Sequence, residues 1–524
     1  MSRTPTDPKS SEPSRFKRWF KRLAVGAAGL LAIAFVYLAV EHVRGRISLG
    51  RRLAELSERG ERLSVATLEP KRPAPDQNSA IVLRELTNTF AGFTTNWDNL
   101  PPSLRFAAPG RAVITWRLTE WSRDGKVTNN WDRIGGQLQQ AQGTVDTIHS
   151  AAMKPNYDSG FDYRKGFVDF QIGPLAMVKR AAQVLNVATD YELSRGRLDA
   201  AQEHLLALVK LAASQKSEPM VICQLVRQAC AVLAFNATWE TLQAPGGTDA
   251  QFAALQAAWE KADFSRDMAA SFEMERAMQL DFFEQIRRSK AKLDFVIGRR
   301  EGWGEPFNTF VTHGCLLKWV NLPLWQIAWA RQDELRGLER WQEIIDHDRI
   351  ARSNSWAGLR GRTNPDQSSE TLPFMGVPIA DDRDGWFDRF RFLFSAGPFS
   401  ISDLTIHKTL GAQTQQCLAV TAIALRRFHL RTGKLPSDLN ALVPDYLHEL
   451  PRDFMDGGIL RYRLTARGGF ILYSVGEDGH DDGGDPSLRT DKKRYRQIWD
   501  GRDAIWPSPA TSAETAEAMN STKE

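Results

Sequence analysis

The chain has 524 residues, 42% of them apolar and 25% charged, and a formal net charge of +5. This length allows two to four domains, and the composition excludes bulk disorder. Lys and Arg are interleaved with Asp and Glu, so no basic stripe marks a nucleic-acid face and no nucleic-acid partner is expected.

The first element is a basic tail, residues 1–22. It carries Arg3, Lys9, Arg15, Lys17, Arg18, Lys21 and Arg22 against Asp7 and Glu12. Leu23–Val40 follows, 18 residues without a charge. As a helix it spans about 27 Å, close to the ~30 Å of a bilayer's hydrocarbon layer. Arg44, Arg46, Arg51 and Arg52 lie just beyond it, but the larger basic excess precedes it, which puts the N-terminus in the cytoplasm. A cleaved signal peptide is the competing reading. It calls for a shorter apolar stretch and a small-x-small site, whereas this one ends Leu-Ala-Val-Glu-His. An uncleaved anchor over residues 23–45 is therefore expected, with residues 23–40 in contact with membrane lipid. The implied location is a bacterial inner membrane, crossed once, with the bulk in the periplasm.

Residues 46–352 read as a helical extracytoplasmic domain. Helical spacing continues over Glu41–Gly60, so the membrane helix is expected to run on outward. Glu69–Asp76 is a proline-rich linker, followed by a short helix over Asn78–Phe90. Between Ile172 and Lys261 four helices are predicted. The turn at Ser194–Arg197 separates the first two, Pro219 opens the third, and Thr248 or Asp249 caps the fourth. The stretch GRLDAAQEHLLALVKL resembles half of a tetratricopeptide unit over one hairpin. No 34-residue period accompanies it, so a general helical bundle is expected. A long helix over Arg266–Ser289 carries Glu273, Glu275, Asp281 and Glu284. Without a Glu-x-x-His pair, and with Arg276, Arg287 and Arg288 among them, they read as a solvated charged face. Residues 310–330 are apolar and Trp-rich. They fit a buried core helix interrupted at Pro323, with a resting place at the membrane interface as the second reading. Gln332–Arg352 reads as a charged helix, and residues 353–400 as an irregular connection.

The cysteines are Cys223, Cys230, Cys315 and Cys417. None forms a Cys-x-x-Cys pair, which argues against a zinc or thioredoxin-like site. Cys223 and Cys230 would lie about 10 Å apart on one helix, too far to bridge.

The C-terminal region, residues 401–507, has a specific order of elements. A long helix over Asp403–Leu430 stops at Thr432-Gly433, and a KLPSDLNALVP segment follows. Strands are predicted at Ile459–Leu464 and Phe470–Val475 about a Gly468-Gly469 turn. An acidic glycine loop, Gly476–Asp485, comes next. Residues 508–524 read as a disordered tail. Together these elements predict a mainly α chain with a small α+β C-terminal domain. One transmembrane helix leads into a helical bundle or hairpin array, and then a long helix with a small antiparallel sheet.

This succession resembles the globular domain of the major pseudopilins of type II secretion systems. Gly433, Pro436, Leu439, Leu442, Leu450, Pro451, Asp453, Tyr473, Ser474, Gly476, Asp478, Gly479, Gly483, Gly484, Asp503 and Ile505 stand at matching places. In that family the glycine-acid loop holds calcium. The resemblance therefore implies a metal site at Asp478, Asp485 and Asp503, with Asp481 and Asp482 nearby, and calcium as the only cofactor. The loop is not an EF-hand: His480 stands at the third position and Arg489 at the twelfth. The pilin start signal, Phe-Thr-x-x-Glu, is missing from the membrane helix, so incorporation into a pilus is not implied. The whole chain is similar to membrane-anchored bacterial proteins that carry such a tail and have no assigned activity.

No GxSxG, HExxH, SxxK, Walker A or GxGxxG motif stands in a usable context, and no catalytic residue is nominated. The expected function is a non-catalytic, membrane-anchored envelope protein that binds partners or takes part in an assembly. The alternative is an extracytoplasmic enzyme of hydrolase type, with a site assembled from dispersed residues.

Overall fold

The computed structural model describes residues 15–86, 100–122, 128–165, 173–289, 291–293, 320–362, 388–395, 403–466 and 468–520. Cys315, Trp97, the tail before Arg15 and most of 353–400 lie outside the described residues. The fold is mainly helical with small sheets, and it begins with an apolar helix. The chain divides into two compact units. One comprises residues 1–61, 283–339 and 372–400; the other comprises 62–282, 340–371 and 401–524.

In the first unit, α1 runs unbroken from Arg15 to Glu58. The apolar span therefore continues straight into the amphipathic stretch, as its spacing predicts. Leu30, Leu31, Ile33 and Phe35 are all exposed, whereas Leu49 and Leu56 are buried. From the 310–330 stretch, residues 320–330 are described. Leu322–Leu324 is a helical turn that contains Pro323. A π-helical turn, Trp325–Trp329, then leads into the charged helix Ala330–Ser353. Val320 and Asn321 already have π-helical backbone, so Pro323 lies within helical structure; the part of the expected core helix before Val320 lies outside the described residues. Trp325 and Trp329 are buried, and Trp325 donates its indole N–H to Asp333 at 2.9 Å.

The second unit is built on a helical core. α2 is Ser79–Glu85, α3 Trp131–Gln140, α4 Gln142–Ala152, α5 Gly173–Ser194, α6 Leu198–Ser214, α7 Val221–Leu242, α8 Asp249–Trp259 and α9 Phe264–Arg288. The caps explain several boundaries. Asn78 accepts from the Ala80 amide, and Thr248 forms a capping box with Gln251. α5, α6 and α7 pack on one another, and α8 packs on α6. α7 is long and apolar enough to cross a membrane, but it lies mostly buried in this core. Cys223 and Cys230 point from it into the interior as free thiols, and Cys417 is also buried.

The long helix α10, Asp403–Thr432, packs against both α7 and α8. Four short strands come earlier in the chain, β1 (Phe106–Ala108), β2 (Arg111–Ala112), β3 (Glu120–Ser122) and β4 (Thr128–Asn130). The long helix also contacts β6 of a three-stranded antiparallel sheet formed by β5 (Arg461–Leu464), β6 (Phe470–Ser474) and β7 (Ala504–Ile505). One continuous apolar core includes Leu185, Phe235 and Trp239 with Leu418, Leu425, Leu472 and Trp506. Residues 401–507 therefore share their core with the helices and do not form a separate compact unit.

Two expectations are corrected. Glu275 is not solvated: it is buried, and its Oε1 accepts the Val221 amide at 2.7 Å, satisfying a first-turn donor of α7. Residues 508–520, expected as a disordered tail, are ordered. Ser508–Pro509 forms a strand parallel to Arg111–Ala112, which pairs in turn with Phe106–Ala108. A final helix, Ser512–Asn520, follows. Glu514 receives Arg111 at 2.9 and 3.0 Å and the Thr511 amide at 2.8 Å. The Trp239 indole N–H donates to the Pro507 carbonyl at 2.7 Å. The order of this tail comes from partners 268 to 403 residues away, which no local periodicity reveals.

Removing residues 508–524 is expected to lower the midpoint of urea unfolding. Glu514→Ala alone should lower it by much less than the truncation does, because the ion pair with Arg111 is partly exposed and solvent screens it. An unchanged midpoint for the truncated chain would refute the ordered tail.

Candidate functional site

The five acidic residues singled out in the sequence come to the β6–β7 end of the sheet. Asp478, Asp481, Asp482 and Asp485 lie on the connection after β6, and Asp503 immediately precedes β7. Asp503 is fully buried. One oxygen accepts the amides of Gly484 at 2.7 Å and Asp485 at 3.0 Å, and the other accepts the Asp482 amide at 3.4 Å. It fastens the acidic loop to the sheet. Gly476, at φ +74°, has the Arg502 carbonyl only 2.7 Å from where a Cβ would sit, so the loop leaves β6 by a route closed to other residues.

The other carboxylates are also engaged. Asp478 accepts the His480 amide at 3.0 Å. Asp481 accepts the Gly483 amide at 2.9 Å and the Tyr473 hydroxyl at 3.1 Å, with the Arg461 guanidinium 3.4 Å away. Asp482 pairs with Arg502 at 3.1 Å, and Asp485 accepts the Ser487 amide and hydroxyl. Calcium takes six to eight converging oxygens. Among the described residues, no three His, Cys, Asp or Glu side chains converge as a metal-holding group. Each loop carboxylate has at least one oxygen engaged by an amide, a hydroxyl or a guanidinium group, and as arranged here the set does not converge on one point.

Asp453, which the resemblance also marks, is a second buried hub. It accepts the Met455 amide at 3.0 Å, the Ser474 hydroxyl at 2.8 Å, the Val475 amide at 3.0 Å and Arg461 at 2.9 Å. These bonds tie the segment before β5 to the end of β6.

Beside this loop, the fold assembles a cluster that the sequence does not announce. His407, on α10, stacks on Trp356 with ring centroids 4.7 Å apart. Its Nε2 lies 3.8 Å from a Glu477 carboxylate oxygen and has no hydrogen-bond partner among the described residues. Glu477 is held by Arg489 at 2.6 Å and has Lys492 at 3.7 Å. Its carbonyl accepts the Trp356 indole at 3.2 Å and Arg360 at 3.1 Å. Burial holds the His407 imidazole below its ordinary pKa, so it is neutral at pH 7. A neutral imidazole beside a paired carboxylate can accept a proton, but Glu477 is already committed to Arg489. His480, the histidine that stands out in the sequence, is exposed and only its amide is engaged in the loop.

The most displaced acids lie deeper, among the helices. Asp190 of α5 and Glu240 of α7 are both buried. Glu240 accepts the Thr115 amide at 3.0 and 3.2 Å, and Asp190 Oδ1 has no hydrogen-bond partner among the described residues. Burial pushes Glu240 up to about 8. It raises Asp190 as well, with the nearby Glu240 charge adding to the shift. Glu275 is likewise pushed by burial up to about 8. Such groups hold protons at neutral pH and are poor ligands for a cation.

Compared with protein-family models, with curated proteins and with solved structures, the chain shows no match.

Asp503→Ala would leave three inward-pointing amides without an acceptor. It is expected to cost about 2–3 kcal/mol in urea unfolding, while a chelator should leave the wild-type melting temperature at pH 7 unchanged. A fall on chelation would restore calcium to the loop. Glu240 has an ordinary pKa of 4.5 and a folded value of about 8. Between those values the native state keeps a proton that the unfolded chain has lost, so stability falls as pH rises through that window. Glu240→Gln should flatten the slope of melting temperature against pH from 5 to 8; an unchanged slope would assign it to other groups.

Proposed function

We propose that this chain is a single-pass, membrane-anchored envelope protein without catalytic activity. Leu23–Val40 crosses the membrane, and the second unit serves partner binding or assembly on the outer side. One observation carries the reading: the apolar part of α1 has none of its most hydrophobic 18-residue stretch buried. Leaving so many large apolar side chains in water is costly, and lipid is the solvent that suits them. The basic excess before Leu23 supports a cytoplasmic N-terminus.

Residues 401–507 act in this reading as a pseudopilin-like module. Support comes from the order of long helix, three-stranded antiparallel sheet and acidic glycine loop. The matching residues Asp453 and Asp503 are buried hubs of that sheet. The loop's carboxylates are engaged by backbone amides and by neighbouring Tyr473, Ser487, Arg461 and Arg502 side chains, which favours a shaped surface over a reactive centre. The partners are other envelope proteins.

Alkaline phosphatase fused after Glu524 in a bacterial host is the test of topology, since that enzyme is active only outside the cytoplasm. High activity is expected, and deletion of residues 23–40 should abolish it. Activity of a cytoplasmic reporter at the same position would overturn the orientation.

A further inference from the structure

The first unit holds an apolar stripe that the anchor alone does not account for. In the helical stretch 320–330, Val320 and Ile327 are 48% and 57% exposed, and Pro323 between them is exposed as well. Spacings of three and four residues place all three on one face of a helix. The opposite face is the packed one: Leu322, Trp325, Ala328 and Trp329 are buried. An apolar face left exposed on a helix whose opposite face is already packed is the kind of surface that marks a contact with a membrane or a partner.

The height of this stripe along α1 is fixed by named contacts. His42 Nδ1 bonds the Ile327 carbonyl. The Gln332 amide donates to the Glu41 carbonyl at 2.9 Å and to its carboxylate at 2.8 Å. Arg391 reaches the same carboxylate at 3.3 Å. A Cβ at Gly45 would come within 3.0 Å of the Gln332 side chain, so the two helices meet closely there. His42 is two residues past Val40, about 3 Å farther along the axis. The headgroup region on each side of the hydrocarbon is ~5–7 Å deep. Ile327 therefore stands at the level where the hydrocarbon gives way to headgroups. Val40 and Val43 of α1 are exposed at this level, as is Arg44, which lies 3.7 Å from Glu41; Arg46, about 9 Å past Val40 along the axis, can reach back along its side chain, and guanidinium groups suit lipid phosphates.

We infer that the face of Val320, Pro323 and Ile327 is seated in the lipid interface beside the exit of the anchor. The first unit then touches the bilayer at a second place, and the occupant of the stripe is phospholipid. The apolar side chains lie in the outer acyl layer, and Arg44 and Arg46 take the phosphates. This rests on the reading of Leu23–Val40 as the membrane span.

The test uses the full chain with Cys315→Ser, since the other three thiols are buried. Spin labels are placed singly at Val36→Cys, Val320→Cys, Ile327→Cys and the exposed Glu517→Cys. The protein is reconstituted in vesicles of phosphatidylethanolamine and phosphatidylglycerol, and collision with oxygen is compared with collision with a water-soluble nickel chelate. Labels at 320 and 327 should show an oxygen-to-nickel ratio several-fold above that at 517 and nearer to that at 36. A lipid-like value at 36 with water-like values at 320 and 327 overturns the inference and leaves the anchor standing. Low accessibility to both reagents at 320 and 327 also overturns it, because protein then covers the stripe. A water-like value at 36 removes the anchor itself.

Discussion

The second unit depends on the burial of one helix on nearly every side. From Thr405 to Leu425, α10 has 18 buried positions, and they do not follow the single stripe of a surface helix. Its apolar residues touch α7, α8 and the sheet, so helices and strands are parts of one interior. Polar side chains set the register within that interior. Gln413 accepts the Phe264 amide at 2.7 Å, Gln416 donates to the Trp259 carbonyl at 3.0 Å, and Gln228 donates to Thr409 at 2.9 Å. A slide of one turn would keep much of the apolar contact but leave these groups unpaired in a dry core.

Carboxylates play a consistent part in both units. Asp453 and Asp503 gather amides around the sheet, Glu275 takes the first amide of α7, and Glu240 takes that of Thr115. Asp333, in the first unit, accepts the amides of Phe394 and Ser395 at 2.9 and 2.8 Å. In each case backbone amides at a turn, a loop or a helix start are satisfied by an acid from another part of the chain. Burial raises the pKa of these acids, so their role is to bind backbone and not to carry surface charge.

Much of this was legible in the residues. The exposed apolar span, the ends of α5 to α8 and the hairpin of β5 and β6 carry local signals of hydropathy, capping and alternation. The acids were legible as residue types and places, but not in what they bind. Glu275 has the spacing of a solvated face and becomes buried because α7 begins against it. The sequence singles out His480, while the imidazoles brought to carboxylates are His347, bonded to Asp403 at 2.8 Å, and His407, 70 positions from Glu477. The final helix has an Ala- and Glu-rich sequence with little apolar pattern, and Arg111 and Trp239 supply what orders the tail that carries it. Partners remote in the chain leave no trace in a window of a dozen residues.

The unbroken run of α1 has a mechanical meaning. At about 27 Å the charge-free span is slightly shorter than an average ~30 Å hydrocarbon layer. A short span meets mismatch by thinning the lipid around it, because tilting would shorten its reach further. With Leu23–Val40 as the proposed span, no loop separates it from the stretch where Gln332 and Arg391 grip Glu41. Any reorientation of the anchor, as lipid thickness varies from one region to another, is handed on as a rigid lever to the residues docked at its exit.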